Sequence, residues 1–405
     1  MEFKRIGFYR GGIDMSAGGV APYADRLLRA LGEHHFEQMQ VTVIGGEEGV
    51  EAGGFLRRKA KRNGVMRKAM FHASDSLYHL LHPSAGGRIG PYRGWLSRVH
   101  CDLRYDLLHF PFQVPPRITF RCPFIITMHD VQELHFPEFF SPRDRMLRAE
   151  LYWGAITQAS RVVVSFEHVK GDLLKYFRIP EDRVVVIPVP YSKCGFDEAG
   201  EGQESEIANR YQGFGRYFLY PAQTWRHKNH LGLIEAFERV CSASSERLHL
   251  VCTGVKNEYY DEVIRERVES SLARDSIHFL GVVSQEELKW LYSNSLSVVV
   301  PSLYEAGSFP LIEAMQLGVA VLVAATTSLP ATIGDSRFVF DPRDIGEMSG
   351  LMLRMVQDQE YRRSGEENSR MRVEQLGQIQ VGPMVEALWR DTLERVGSDS
   401  VRNSK

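Results

Sequence analysis

The sequence predicts an α/β protein built from two doubly wound domains, each with a parallel β-sheet. Short runs rich in Val and Ile, apolar on both faces, alternate with amphipathic stretches along the chain. That alternation is typical of a parallel sheet covered by helices on both sides. The length of 405 residues is too great for one typical domain, and a polar stretch near the middle separates two similar alternations.

The first domain is predicted to span residues 1–190. Its strands are expected at the N-terminal MEFKRIGFYRGG stretch and at VTVIGG (41–46), DLLHF (106–110), PFIITMHD (123–130), RVVVSF (161–166) and RVVVIPVP (183–190). Gly18 and Gly19 precede an amphipathic stretch, so backbone N–H groups at that helix start could approach a phosphate. The alternative interpretation of these glycines is a simple turn.

A linker is predicted at 191–215, because this stretch is polar and rich in Gly and Glu, with room for one helical turn. The second domain is predicted at 216–381. Its strands are expected at YFLYPAQ (217–223), RLHLVCTG (247–254), IHFLG (277–281), LSVVVPS (296–302) and VAVLVAA (319–325). Such sheets bind ligands at the carboxyl ends of their strands, so a site in a cleft between the two domains is expected.

The end of the chain carries one more predicted helix, at 382–396, which is expected to cross back to the first domain. The polar tail 397–405 is predicted to be disordered.

Composition excludes several classes of protein. Lys+Arg 49 against Asp+Glu 51 gives a formal net charge of −2, which argues against a general nucleic-acid binder. The five cysteines show no metal-ligand spacing, and their odd number suits a reducing compartment. No run reaches the roughly 18 apolar residues of a membrane span. A cytoplasmic protein is expected, with attachment to the inner face of a plasma membrane as an extension of that expectation.

The segment 55–71, FLRRKAKRNGVMRKAMF, offers a means of such attachment. It carries seven Lys or Arg and no acid, interleaved with apolar residues. A basic amphipathic segment can dock on anionic lipid. The alternative is a solvated loop.

The stretch YEAGSFPLIEAM at 304–315 places Glu305 and Glu313 eight residues apart across a loop-to-helix corner. Pro310 suits the first turn of a helix, whose free N–H groups form an anion site. Glu313 is expected in that first turn and Glu305 on the loop above it, where both could accept hydrogen bonds from sugar hydroxyls. The alternative is that Glu313 only complements the helix dipole and Glu305 is solvated.

This stretch, with HFLGVVSQEELKWLYSNSLSVVV before it, resembles the donor-binding half of family 4 glycosyltransferases, which are retaining enzymes of the GT-B fold. YPAQTWRHKNHLGLIEAF, ITMHD, RVVVSFEHVKGDLLKYF and SAGGVAPYADRLLRAL extend the resemblance over nearly the whole chain. The resemblance implies that Glu313 binds the ribose of a nucleotide-sugar and Glu305 the transferred sugar. It further implies donor contacts from Val282 and from the backbone of Gly307, Ser308 and Phe309.

The resemblance also assigns roles outside the Glu pair. Lys228 would neutralise the leaving diphosphate, and His129, at the end of PFIITM, would contact the donor sugar. The family's arginine five or six residues before this lysine is replaced by Gln223 or Ala222, which leaves Arg226 as the local candidate. The alternatives are an exposed Arg-His-Lys surface run and a structural histidine.

No Asp-x-Asp pair occurs in the chain, so no metal and no cofactor are expected. The implied function is retaining transfer of a hexose, with mannose from GDP-mannose as the expected donor, to a glycan or lipid-linked glycan of bacterial surface polysaccharide. One alternative is a UDP-sugar transferase for another glycoconjugate. Another is a non-catalytic sugar-nucleotide-binding protein of the same fold.

Overall fold

The computed structural model describes residues 3–10, 19–44, 104–115, 120–191 and 201–402, with the side chains of 201–203 and 397–402 left out. Gly18 and the basic segment 55–71 lie outside these residues. The chain divides into two compact units. Unit 1 comprises Met1–Ser192 and Gln380–Lys405, and unit 2 comprises Lys193–Ile379.

Unit 1 contains a six-stranded parallel sheet with the order β2-β1-β3-β4-β5-β6. Its strands are β1 Lys4–Tyr9, β2 Met39–Ile44, β3 Leu107–Phe110, β4 Phe124–Thr127, β5 Arg161–Val164 and β6 Val184–Val186. Its described helices before residue 192 are α1 Val20–Gly32, α2 Gln132–His135, α3 Pro142–Gln158 and α4 Glu167–Asp172. Every residue of β3, β4 and β5 is buried, as expected for central strands of a parallel sheet.

The C-terminal helix α13, Val381–Arg402, packs on unit 1. Its Trp389 is fully buried and its indole N–H donates to Nδ1 of the fully buried His109, 3.1 Å away. On the same helix, Oε2 of Glu386 lies 2.6 Å from Nε2 of His34, and Oδ2 of Asp391 lies 2.5 Å from Nη2 of Arg161. His109, buried on β3 and bound to Trp389, therefore has a structural role.

Replacing Trp389 by alanine is expected to lower the free energy of unfolding by about 3–5 kcal/mol, the usual cost of deleting a buried aromatic side chain. Trp389→Phe is the matched control. It keeps most of the volume but leaves Nδ1 of His109 without a donor, which costs about 1–3 kcal/mol. Chemical denaturation of the three proteins measures both values, and an alanine variant as stable as the parent would contradict this docking.

Unit 2 contains the second six-stranded parallel sheet, with the order β12-β11-β10-β7-β8-β9. Its strands are β7 Arg216–Pro221, β8 Leu248–Thr253, β9 Ile277–Gly281, β10 Ser297–Val300, β11 Val321–Ala324 and β12 Val339–Phe340. Its α-helices are α5 Glu201–Tyr211, α6 His230–Ala243, α7 Arg265–Glu269, α8 Gln285–Ser293, α9 Phe309–Gln316, α10 Leu329–Ile333, α11 Ile345–Gln357 and α12 Gln359–Gly377.

Two predicted boundaries are wrong. Within the expected linker 191–215, helix α5 forms and buries Ile207 and Tyr211 in the unit 2 core. Amphipathic packing, which local composition does not reveal, stabilises it. The C-terminal helix also continues to Arg402, into the tail predicted to be disordered. Once a helix is docked, each further residue adds a hydrogen bond at little cost.

Candidate functional site

Glu305 lies on the loop that follows β10 and is 6% exposed. Its Oε1 accepts from Nζ of Lys228 at 2.5 Å and from the Ser302 hydroxyl at 2.7 Å. Both contacts fall on the same oxygen, so Oε2 remains as the acceptor for a ligand. The interpretation of Glu305 as a solvated carboxylate is therefore wrong, and so is that of Lys228 as an exposed cation, since its side chain is only 17% exposed.

Lys228 ends a 3₁₀ turn, Arg226–Lys228, on the loop after β7. The next residue, Asn229, has φ +56° in the left-handed region, which asparagine tolerates better than most residues. Its side-chain amide donates to the carbonyls of Pro301 and Pro342, at 3.1 and 3.0 Å. The Leu303 amide donates to the His227 carbonyl at 2.7 Å. These bonds join the lysine loop directly to the loop of Glu305.

The buried Tyr220, the fifth residue of β7, contacts both the lysine loop and the loop of Glu305. Its hydroxyl lies 3.1 Å from the Lys228 carbonyl and 3.0 Å from the Ser302 hydroxyl. Because the Ser302 proton goes to Glu305, the single Tyr220 proton is shared between the Lys228 carbonyl and the Ser302 oxygen. Tyr220 thus joins the Lys228 backbone, Ser302 and Glu305 in one polar network. Satisfied polar networks in a buried setting hold their members rigidly, so this one presets the ammonium and the carboxylate before a ligand arrives.

Helix α9 begins at Phe309, after Ser308, whose buried hydroxyl accepts from the Leu311 amide at 3.4 Å. Glu313 is the fifth helical residue, so the prediction that it lies in the first turn is wrong. The capping by Ser308 starts the helix one residue before Pro310. Gly307 is half-buried at the loop leading into the helix. Pro310 lies in the first turn of the helix, as predicted. The cap that Ser308 supplies was not predicted.

Glu313 is held from the neighbouring helix α8. The hydroxyl of the fully buried Tyr292 donates to its Oε2 at 2.9 Å. The other carboxylate of the predicted pair, Glu305, is held instead by Lys228 and Ser302. The two glutamates have separate supports, which suits separate roles.

The remaining unit 2 candidates are exposed. Val282, directly after β9, is 74% exposed. Arg226 is exposed, with its guanidinium 5.5 Å from the centre of the Tyr259 ring. Gln223, at a position where the family often has arginine, accepts a 2.7 Å hydrogen bond from the exposed Trp225 indole.

The loops at this edge approach one another closely at Gly254. It has φ +109°, and a Cβ there would lie 2.8 Å from backbone atoms of Ala222. Only glycine fits without a shift of the loop that leads to Lys228.

In unit 1, His129 follows β4 at its carboxyl end, as predicted. Nε2 donates to the Pro111 carbonyl at 3.1 Å, because a carbonyl can only accept. Burial lowers the pKa of His129 to about 4. The ring is therefore neutral at pH 7, and Nδ1 is an acceptor suited to a hydroxyl. Gly19 directly precedes α1, and its conformation is αR.

Two histidines beside Lys228 are expected to make unit 2 less stable in acid. Burial, with the Lys228 charge as a second cause, lowers the pKa of His227 to about 2 and that of His230 to about 3. Both are neutral in the fold and protonate in the unfolded chain below about pH 6.5. Their contribution to stability is complete above pH 6.5 and is lost as pH falls toward 3.

We therefore expect the free energy of unfolding to fall below pH 6.5, by up to about 1.4 kcal/mol per pH unit for each of these histidines. Urea unfolding of the parent and of His230→Phe at pH 7.5, 6.0 and 5.0 measures the slope. The variant should lose stability less steeply in acid, since it lacks one titrating group. Equal slopes would contradict the assignment.

Among the described residues, no group of three or more His, Cys, Asp or Glu is placed to hold a metal ion. In the same part of the chain, none of the helices combines the length and apolar character needed to cross a membrane.

Sequence reasoning missed the residues that support the site. In the sequence, Tyr220 belongs to an apolar strand, Ser302 to a loop and Tyr292 to a helix. Their role becomes visible only from the residues that they contact in space. Asn229 had a local signal, since an asparagine between a lysine and a helix start is suited to a left-handed conformation.

Both units of the chain match known protein families. Residues 207–372 match the family "Glycosyl transferases group 1", and residues 17–191 match "Glycosyltransferase Family 4". O-antigen chain mannosyltransferase B of Escherichia coli is 28% identical over 70% of this chain and 71% of its own length. O-antigen chain mannosyltransferase RfbU of Salmonella typhimurium is 25% identical over 54% of this chain and 57% of its own.

Among solved structures, Anabaena Alr3699/HepE, in complex with UDP and glucose, has a TM-score of 0.66. It is 14% identical and covers 96% of this chain and 100% of its own. At that identity the likeness concerns the fold alone.

Proposed function

This chain belongs to the group 1 glycosyltransferases of the GT-B fold, with a family 4 N-terminal domain. On that premise we propose that it transfers a hexose from a nucleotide-sugar to a glycan or lipid-linked glycan. The transfer would retain the anomeric configuration and would need no metal. The single observation that carries the proposal is the buried Glu305 held by Lys228 at the carboxyl end of the unit 2 sheet.

In the proposed reaction the bond between the anomeric carbon and the diphosphate breaks, and a bond from that carbon to an acceptor oxygen forms on the same face. The acceptor proton passes to an oxygen of the leaving diphosphate. Lys228 stabilises the charge that builds on that diphosphate, together with the N–H groups at the start of α9. A cation and a helix end can supply this stabilisation in place of a metal.

The two carboxylates hold the rest of the donor in this proposal. Oε2 of Glu305 accepts from hydroxyls of the transferred sugar, and Glu313, fixed by Tyr292, accepts from the ribose hydroxyls. In unit 1, neutral His129 accepts from a donor hydroxyl through Nδ1. Carboxylates accept strong hydrogen bonds from hydroxyls, which gives orientation as well as affinity.

Mannose from GDP-mannose is the proposed donor, because the relatives at 28% and 25% identity are both named as O-antigen mannosyltransferases. The alternative donor is a UDP-sugar. Anabaena Alr3699/HepE was crystallised with UDP and glucose, but at 14% identity that likeness concerns the fold and does not favour either donor.

A donor screen separates these proposals. The purified full chain is given GDP-mannose, GDP-fucose, UDP-glucose and UDP-galactose, with and without a synthetic lipid-linked mannose acceptor, and nucleoside diphosphate release is followed. Product from GDP-mannose alone supports the first donor, and product from UDP-sugars alone supports the second. Proton NMR of the product reports retention, since an α-linked donor should give an α-linked product. Activity abolished by EDTA and restored by a divalent cation would overturn metal independence.

A further inference from the structure

Thr327 lies on the loop after β11 and has φ +47°, the left-handed region. A β-branched residue there is an outlier, because its branched side chain crowds the backbone. Such conformations persist when surrounding contacts enforce them, and they concentrate at functional sites. The residue is exposed, so core packing does not explain the strain.

The contacts of Thr327 lead to Glu305. Its hydroxyl accepts from the Glu305 amide at 3.3 Å and donates to the Glu305 carbonyl. One hydroxyl thus holds both peptide groups of the same residue. A hydroxyl has a donor and acceptor lone pairs, so threonine and serine can make this double contact and valine, alanine and glycine cannot.

The neighbouring Thr326 strengthens the same junction, since its hydroxyl donates to the Ser302 carbonyl at 3.1 Å. Ser302 in turn donates to the carboxylate of Glu305. The loop after β11 therefore holds the backbone at 302 and 305, while Lys228 and Ser302 hold the side chain of Glu305.

We propose that Thr327 is a positioning residue for Glu305: its hydroxyl, held in a strained backbone conformation, sets the place of the Glu305 peptide and so of the carboxylate that meets the transferred sugar. This inference rests on the proposed function. It assigns Thr327 no contact with the substrate. Small displacements of a catalytic group are costly to turnover, so the residue should act on kcat more than on nucleotide affinity.

Three substitutions separate the hydroxyl from the strain. Thr327→Ser keeps the double contact and should retain kcat within about twofold. Thr327→Val keeps the β-branch but loses both hydrogen bonds, and kcat should fall about tenfold. Thr327→Gly also loses the bonds, so kcat should fall similarly, yet its thermal midpoint should stay at or above that of the valine variant because glycine adopts positive φ without strain.

The matched control is Thr332→Val. The Thr332 hydroxyl donates to the Ser328 carbonyl inside helix α10, so its loss should lower the thermal midpoint and leave kcat unchanged. Affinity for the free nucleoside diphosphate should stay unchanged in all four variants. Valine and glycine variants with the kcat of the parent, or a loss of diphosphate affinity equal to the loss of kcat, would overturn the proposal.

A second readout does not depend on turnover. Hydrogen–deuterium exchange of a peptide containing the Glu305 amide should be faster in Thr327→Val than in the parent and unchanged in Thr327→Ser. If no nucleotide-sugar is turned over, the proposed function fails and this measurement still decides whether Thr327 holds Glu305. Exchange that is the same in the parent and the valine variant overturns the clamp itself.

Discussion

Glu305→Ala is expected to lower kcat about 100-fold while nucleoside diphosphate affinity stays the same or rises. Charge-assisted hydrogen bonds are worth about 1.5–3 kcal/mol, and those to the transferred sugar tighten as the glycosidic bond breaks, so their loss affects the rate. The affinity for the diphosphate can rise because Lys228 is paired with Glu305, at 2.5 Å, in the free protein. Without the carboxylate, the ammonium is released to the phosphates.

Steady-state kinetics with the full donor and calorimetry with the diphosphate alone measure the two halves of this prediction. Glu305→Gln is the matched variant, since the amide keeps the shape and an acceptor for Ser302 but loses the charge. It should show the same division between rate and affinity. A drop in diphosphate affinity as large as the drop in kcat would contradict the assignment of Glu305 to the transferred sugar.

Stability has to be separated from catalysis for this buried pair. Removing one partner leaves the other charge buried and unpaired, which typically costs about 3–5 kcal/mol, whereas replacing both together is often neutral. The double variant Lys228→Met/Glu305→Gln should therefore recover much of the thermal stability lost in Lys228→Met, yet remain inactive. Recovery of activity along with stability would show that the pair is merely structural.

Glu313→Ala is expected to weaken both the nucleotide-sugar and the free diphosphate by about 10- to 100-fold, because about 1.5–3 kcal/mol of charge-assisted hydrogen bonding to ribose hydroxyls is lost. Tyr292→Phe should lower the affinity for both ligands only several-fold, since it removes the 2.9 Å hydrogen bond that orients Glu313 and leaves the carboxylate in place. Calorimetry with both ligands measures these changes.

Glu286→Ala is a suitable control for Glu313→Ala, because Glu286 is a half-buried glutamate in the first turn of α8, in the same unit. It should leave both affinities unchanged. If the Glu305 and Glu313 variants lose diphosphate affinity equally, the division of roles between the two carboxylates is wrong. If Glu313→Ala only melts earlier, with unchanged affinities, Glu313 serves the fold alone.

Much of the architecture could be predicted from local pattern. Eleven of the strands coincide with stretches recognised in the sequence. The central strands β3, β4 and β5 were the clearest of these, because a strand buried on both faces is largely apolar. The two-residue strand β12, Val339–Phe340, has no such run and was missed. Helix α5 was missed for a different reason: its apolar residues are few, and the core that receives Ile207 and Tyr211 comes from distant parts of the chain.

The sequence by itself determined the parallel-sheet class, the order of the strands along the chain and the residue types of the site, since each depends on local composition and spacing. The spacing singled out Glu305 and Glu313, and the resemblance to family 4 glycosyltransferases implied the roles of Lys228 and His129. Only the tertiary structure decided which side chains meet: Lys228 with Glu305 across 77 residues, Tyr292 with Glu313, and Thr327 with the Glu305 peptide. Hydrogen bonds act over about 3 Å in space, and no periodicity along the chain records which loops a sheet brings to that distance.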